Sequence, residues 1–210
     1  MNPSLPFPMP LAEKYRPRAI AEFVGLERPK RILSKFAASP YPSAWLFVGP
    51  PGTGKTTMAL ALAETLRAEL HAIPSQQCNL ANVEDAIRLC WYVPASGGFH
   101  LVLVDEADRM SSAAQLNFLS KLDATAFPPQ TIFVFTCNAT DGLEPRFLSR
   151  TRQIEFSSYG LAPDAARLLE SIWQREASGA PAPNFARIVK DSANNVRDAL
   201  MFLETELLAV

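Results

Sequence analysis

The densest concentration of chemistry in the sequence lies between Gly49 and Thr57. The run Gly49-Pro50-Pro51-Gly52-Thr53-Gly54-Lys55-Thr56-Thr57 contains the pattern G-x-x-x-x-G-K-[ST] without a gap. Gly52 and Gly54 let the backbone curl so that successive N–H groups point at phosphate oxygens, and the start of a following helix adds partial positive charge. In that geometry Lys55 reaches the β- and γ-phosphates of ATP, and the Thr56 hydroxyl ligates Mg²⁺. A glycine-rich turn ending by accident in a lysine carries the same letters. Context separates the two, because a phosphate loop requires a strand before it and a helix after it.

Asp105 and Glu106 stand at the end of the apolar run Leu101-Val-Leu-Val104. At the C-terminal edge of a parallel sheet, carboxylates lie where doubly wound folds bind ligands. Asp105 is the candidate Mg²⁺ partner, through water, because Mg²⁺ gives up its hydration shell reluctantly. Glu106 is the candidate base that orients or deprotonates an attacking water. An isolated Asp-Glu pair is more often a solvated strand end; beside a phosphate loop the functional reading prevails. Asn138 closes a further apolar run and has two readings. Its amide can hydrogen-bond a γ-phosphate and the attacking water, or it caps the turn Ala-Thr-Asp-Gly that follows. Position alone leaves both open.

The elements that must hold these residues are legible in the apolar pattern. Residues 44–49, 100–108, 131–138 and 153–156 read as strands. Continuous Val/Ile/Leu/Phe runs separated by helices mark a parallel sheet covered on both faces. Helices are expected at about 27–38, where Ile32, Leu33 and Phe36 share a face, and at 55–69, directly after the phosphate loop. Another is expected at 112–122, with Leu116, Leu119 and Leu122 facing inward. After Ser157 only helical patterns remain, at about 163–178, 184–192 and 195–208, so a small helical domain is expected there.

Four prolines in residues 1–10 exclude a helix and predict an extended, flexible arm. With 48% hydrophobic and 20% charged residues the chain can bury a core unaided. No run reaches the ~18 consecutive apolar residues of a membrane span, and no secretory signal is visible, so a cytoplasmic protein with no membrane partner is expected. Cys78, Cys90 and Cys137 form no CxxC pair, so neither zinc nor a disulfide framework is expected and the thiols read as core filler. Twenty Lys and Arg against 21 Asp and Glu leave a formal charge of -1. That excludes the basic footprint of a free-standing DNA-binding domain, so any nucleic-acid contact must be local or collective. Trp91 and Tyr92, within Leu89-Cys-Trp-Tyr-Val93, read as core or interface residues.

Taken together, these residues resemble the AAA+ ATPases and, within them, the small ATPase subunits of the clamp loaders of DNA replication. The resemblance covers about Leu11 to Leu203. Gly49 to Thr57 matches Walker A, and Leu101 to Asp108 matches Walker B. Ala12-Glu-Lys-Tyr15-Arg16-Pro17, with Phe23-Val-Gly25, looks like the family's N-terminal segment across adenine and ribose. Ser149-Arg150-Thr151 looks like the clamp-loader S-R-C motif, whose arginine enters the neighbouring subunit's ATP site. Asn195-Val-Arg197-Asp-Ala-Leu200 looks like the lid segment that carries sensor 2. The same likeness makes Asn138 sensor 1. The implied fold is α/β, a P-loop core with a five-stranded parallel sheet flanked by helices, followed by a small all-helical lid. The implied domains are a core at 11–157 and a lid at 158–210. Arg150 and Arg197 taken singly read as solvated arginines; the pattern is what gives them roles.

The resemblance implies ATP and Mg²⁺ as cofactors and a homo- or hetero-oligomer with other AAA+ subunits. It implies DNA as a partner, held by backbone contacts, and a sliding clamp as a further one. Arg88, Arg109 and Lys121 are the candidate DNA contacts, each equally readable as solvated surface charge. The segment Gln115 to Asp123 lacks the Arg-Arg pair that relatives carry after Walker B, which puts family-type coupling between DNA and the ATP site in doubt. The four-cysteine zinc module of bacterial relatives is absent. The sequence ends at Val210, where relatives continue into a collar, so assembly is expected through the ATPase faces or another device. Two alternatives stand beside the clamp loader. One is a DNA-acting switch such as a helicase loader or transposition regulator; the other is a nucleotide-gated protein-binding adaptor.

Overall fold

The computed structural model describes residues 9–74, 78, 80–95, 97–123 and 125–209. The proline-rich arm lies, for residues 1–8, outside the described residues. The chain divides into two compact units, residues 17–157 and a second unit in which 9–16 join 158–209.

The larger unit is built on strands β1 (Ser43–Val48), β2 (Glu69–Pro74), β3 (His100–Asp105), β4 (Thr131–Cys137) and β5 (Arg152–Glu155). All pairings are parallel, in the order β2-β3-β4-β1-β5. Because successive side chains alternate between faces, each of the central strands β1, β3 and β4 feeds two cores. Ala44, Leu46, Val102, Val104, Phe133 and Phe135 enter one core together with Val83, Ile87, Phe118 and Phe147. Those last four come from helices α4 (Leu80–Leu89), α5 (Ser112–Lys121) and α6 (Pro145–Leu148). Trp45, Phe47, Leu101, Leu103, Ile132 and Val134 enter the other, with Leu33, Phe36, Met58 and Leu62. These belong to α2 (Glu27–Ala38) and α3 (Lys55–Thr65).

The pattern of the sequence misplaces three features. The helix expected at 55–69 ends at Thr65, and β2 begins at Glu69. As an edge strand bonded only to β3, β2 buries just Ile73, so its polar alternation Glu-Leu-His-Ala lacks the apolar signature of the central strands. Leu116 points outward at 59% exposure while Leu119 and Leu122 are buried. In the run from Leu89 to Val93, read as core or interface, Trp91, Tyr92 and Val93 are exposed, so the core reading fails for them and only Cys90 is inside.

The smaller unit packs α1 (Leu11–Lys14) with α7 (Ala162–Glu176), α8 (Phe185–Asp191) and α9 (Val196–Leu208). Its core holds Leu11, Leu169, Ile172, Trp173, Val189, Leu200 and Leu203. Residues 11–16, expected to open the nucleotide-binding domain, group with this unit instead. Leu11 is buried in its core, and Lys14 Nζ donates to both Glu176 carboxylate oxygens at 2.7 and 2.8 Å. Tyr15 donates its hydroxyl proton to the same carboxylate. Lys14 and then Tyr15 hold Glu176 below the usual carboxylate range, and the Glu176 hydrogen bond raises Lys14. No described helix is long and apolar enough to cross a membrane.

Candidate functional site

β1 delivers the chain into the loop at Gly49, and two glycines there are required by geometry. A Cβ on Gly49 would sit 2.0 Å from the Phe156 carbonyl oxygen, so no side chain fits where the loop passes the end of β5. Gly54 adopts φ +87 as the N-cap of α3, a left-handed conformation that glycine takes without a Cβ penalty. Thr53 is buried and its hydroxyl donates to the Pro50 carbonyl at 2.8 Å, pinning the loop from within.

Lys55, the first residue of α3, is 8% exposed. Its Nζ donates to the carbonyls of Gly49 and Pro50 at 2.6 and 2.8 Å and to Asn138 Oδ1 at 3.0 Å. The Thr56 hydroxyl donates to Asp105 Oδ1 at 2.6 Å, joining the start of α3 to the end of β3. The loop, the acid of β3 and the amide beyond β4 therefore meet at the C-terminal edge of adjacent strands.

Thr136 belongs to this cluster and was not singled out from the sequence. Its hydroxyl donates to Asp105 Oδ1 and accepts from the Glu106 backbone N–H at 3.1 Å. One hydroxyl thus orients the Asp105 carboxylate and fixes the backbone of Glu106. The only signal was a threonine inside the apolar run Thr131 to Cys137, where β-branched residues are ordinary strand formers. Glu106 itself has φ 52 and ψ 49, a left-handed conformation that costs a non-glycine residue of order 1–3 kcal/mol. Its carboxylate pairs with Arg109 at 3.3 Å.

The remaining expected residues make contacts of their own. Arg150 follows α6, pairs with Asp123 at 3.5 Å and has 35% of its side chain exposed. Thr151 is buried, its hydroxyl donating to the Leu148 carbonyl at 3.2 Å, so a small residue suffices where the motif has cysteine. Tyr15, Arg16 and Arg197 belong to the helical unit, and Pro17 opens the larger one. Arg16 pairs with Glu13 at 3.3 Å, and Arg197 is exposed in the first turn of α9. Of the candidate DNA contacts, Arg88 pairs with Asp85 at 3.1 Å and Arg109 with Glu106, while Lys121 closes α5 half-buried.

A strand, glycine loop and helix, with an acid pair at the end of a neighbouring strand, define a P-loop nucleotide-binding protein. The family model for the ATPase family associated with various cellular activities (AAA) matches residues 45–159, and the chain belongs to that family. Over 205 residues it is 32% identical to replication factor C subunit 3 of Blastobotrys adeninivorans, covering 93% of this chain and 60% of that protein. Over 153 residues it is 37% identical to replication factor C small subunit 2 of Pyrobaculum aerophilum, covering 69% and 47%. It is 29% identical to human replication factor C subunit 4 over 94% of this chain and 58% of that one. The chain thus spans about half to three-fifths of these relatives. Among solved structures, the RuvB Holliday junction branch migration motor of Thermotoga maritima superposes with a TM-score of 0.75 at 21% identity. That match covers 90% of this chain and 64% of RuvB, and establishes the shared fold.

Proposed function

We propose that this protein is a Mg²⁺-dependent ATPase that assembles with neighbouring AAA+ subunits and acts on DNA in the manner of a clamp-loader subunit. The observation that carries the reading is a pair of contacts made by successive residues of the loop and helix start, Lys55 Nζ to Asn138 Oδ1 at 3.0 Å and the Thr56 hydroxyl to Asp105 Oδ1 at 2.6 Å. Likeness to replication factor C subunits supports DNA and a clamp as partners.

Thr56 and Asp105 fit Mg²⁺, since a hydroxyl and a carboxylate converging at 2.6 Å are the hard oxygen donors that ion takes. Thr56 and Asp105 would hold the ion there, and it would supply neutralisation of phosphate charge. Loop N–H groups and Lys55 hold the phosphates, Glu106 accepts a proton from the attacking water, and Asn138 positions that water. Arg150, displayed on the surface, exchanges Asp123 for the phosphate of an adjoining subunit. An arginine supplied in that way is worth ~10³ to 10⁵ in rate. Tyr15, Arg16, Pro17 and Arg197 keep the nucleotide-contact roles that the resemblance implies.

Turnover measured with primed DNA, and with primed DNA plus a sliding clamp, tests the reading. Stimulation that requires both supports the clamp-loader role. Stimulation by DNA alone supports a DNA-acting switch, and stimulation by neither supports a protein-binding adaptor. Mixing Arg150→Ala with Lys55→Ala subunits tests the shared site: recovered activity is expected, because one contributes a sound loop and the other a sound arginine. No recovery in a confirmed mixed assembly removes Arg150 from that role.

A further inference from the structure

Three side chains with no part in the nucleotide site meet near the opposite, N-terminal end of β3. His100 is the first residue of β3, His71 the third of β2, and Cys90 directly follows α4. Their ligand atoms, ring nitrogens and Sγ, all lie within 4.8 Å of one another. His71 Nε2 and His100 Nδ1 are 2.9 Å apart. His100 and Cys90 are fully buried, and His71 is half-buried on the edge strand, open to solvent on one side.

The surroundings match a metal centre in two further respects. His100 Nε2 lies 2.9 Å from the Tyr92 carbonyl oxygen. A carbonyl only accepts, so Nε2 carries the proton and Nδ1 presents its lone pair to His71 and Cys90. Such a bond from the far ring nitrogen to a backbone carbonyl is the usual way a ligating histidine is oriented. Glu69, the register partner of His100 across the β2–β3 ladder, places Oε2 3.9 Å from His100 Nδ1. Two imidazoles, one thiol and a carboxylate are a donor set of the kind that holds zinc. With Zn–N of about 2.0–2.1 Å and Zn–S of about 2.3 Å, a tetrahedron has edges of roughly 3.3–3.7 Å. Reaching it parts the two rings by under about 1 Å and draws in the ligand atoms that stand up to 4.8 Å apart, with Glu69 Oε2, by about as much.

We propose that His71, Cys90 and His100, with Glu69 as fourth ligand, form a zinc site that ties the edge strand β2 and the end of α4 to β3. Coordination releases the Cys90 thiol proton to solvent and shifts the His71 proton to Nδ1. The site is structural: its four positions are closed by protein, and it lies at the other end of the sheet from Lys55 and Asp105. The expectation of no zinc came from cysteine spacing along the chain. Here two ligands are histidines, and strand pairing rather than sequence proximity brings the set together.

Titrating tag-free, chelator-treated protein with Zn²⁺ alone, and separately with Co²⁺ alone, tests the proposal. One Zn²⁺ per chain, a higher melting temperature with metal, and a thiolate-to-cobalt charge-transfer band with tetrahedral cobalt absorption are expected. Cys90→Ser abolishes the band, and His71→Ala, changing a half-buried side chain, weakens Zn²⁺ binding at least ~10-fold while circular dichroism stays native. Lys55→Ala leaves the titration unchanged, so the result is independent of the nucleotide reading. No charge-transfer band in folded wild-type protein, or Zn²⁺ binding indifferent to His71→Ala, overturns the proposal.

Discussion

Lys55 Nζ and Asn138 Oδ1 are 3.0 Å apart, so the first residue of α3 is tied directly to the residue that leaves β4. Of the two readings of Asn138, the contact supports the one at the phosphate site, since a residue serving only its own turn has no need of an ammonium group from the phosphate loop. Asn138→Ala is expected to lower turnover about 10²-fold, in line with the loss of one preorganised polar contact, while leaving nucleotide affinity nearly unchanged. Lys55→Ala is expected to remove binding itself. Fluorescent-nucleotide titration beside single-turnover kinetics distinguishes the two.

Thr136→Val keeps a β-branched residue in the centre of the sheet and removes only the hydroxyl. Asp105 then loses one of its two hydroxyl donors and the Glu106 N–H loses its acceptor. Stability is expected to fall by about 1–3 kcal/mol, and the Mg²⁺ concentration giving half-maximal turnover is expected to rise. Thr136→Ser restores both. A normal Mg²⁺ dependence in the valine variant would show that Thr136 does not orient Asp105.

Glu106 holds a left-handed backbone that glycine adopts freely. Glu106→Gly is therefore expected to melt at an unchanged or higher temperature while losing ~10²- to 10⁴-fold in turnover. Glu106→Gln keeps the strain and the shape, binds ATP and traps the assembled state. Retained turnover in the glutamine variant removes Glu106 from the role of base.

In the helical unit the pH response runs through Glu176. Its carboxylate is depressed chiefly by the Lys14 hydrogen bond, then by that of Tyr15. A group depressed on folding contributes stability that is present above its unfolded value and lost as pH falls through its folded one. Wild type is therefore expected to lose thermal stability through the acid side of the usual carboxylate range more steeply than Glu176→Gln. The gap is small, because the carboxylate is solvent-screened. Parallel melts of the two proteins across that window provide the measurement.

What was legible in the sequence follows the physics of each feature. The loop from Gly49 to Thr57 reads at once because phosphate cradling needs contiguous residues, and Asp105 reads because it ends an apolar run. Central strands β1, β3 and β4 are buried on both faces and read as unbroken hydrophobic stretches. Strand β2 does not, since one of its edges and most of its side chains meet water. Thr136 stayed hidden because a hydroxyl bonded to the acid pair has the same letter as an ordinary strand threonine. The meeting of His71, Cys90 and His100 depends on which strands pair, a fact that no local window contains. The grouping of residues 11–16 with the helical unit was not legible, because a helical turn reveals its length but not the core into which Leu11 goes.

The sheet order carries a consequence for how the molecule is made. Strand β1 bonds only to β4 and β5, which begin at Thr131 and Arg152. On a ribosome adding ~5–20 residues per second, β1 waits roughly 4 to 17 s for its first neighbour. Through that interval Trp45, Leu46 and Phe47 remain an unpaired, sticky segment of the kind that chaperones bind. Insertion of β4 between β1 and β3 covers one edge of β1, which β5 completes on the other side, and in the same event brings Asn138 to Lys55 and Thr136 to Asp105. The nascent chain therefore stays vulnerable until the loop and β3 contacts of β4 form, and substitutions that slow the arrival of β4 are expected to appear first as poor yield from translation.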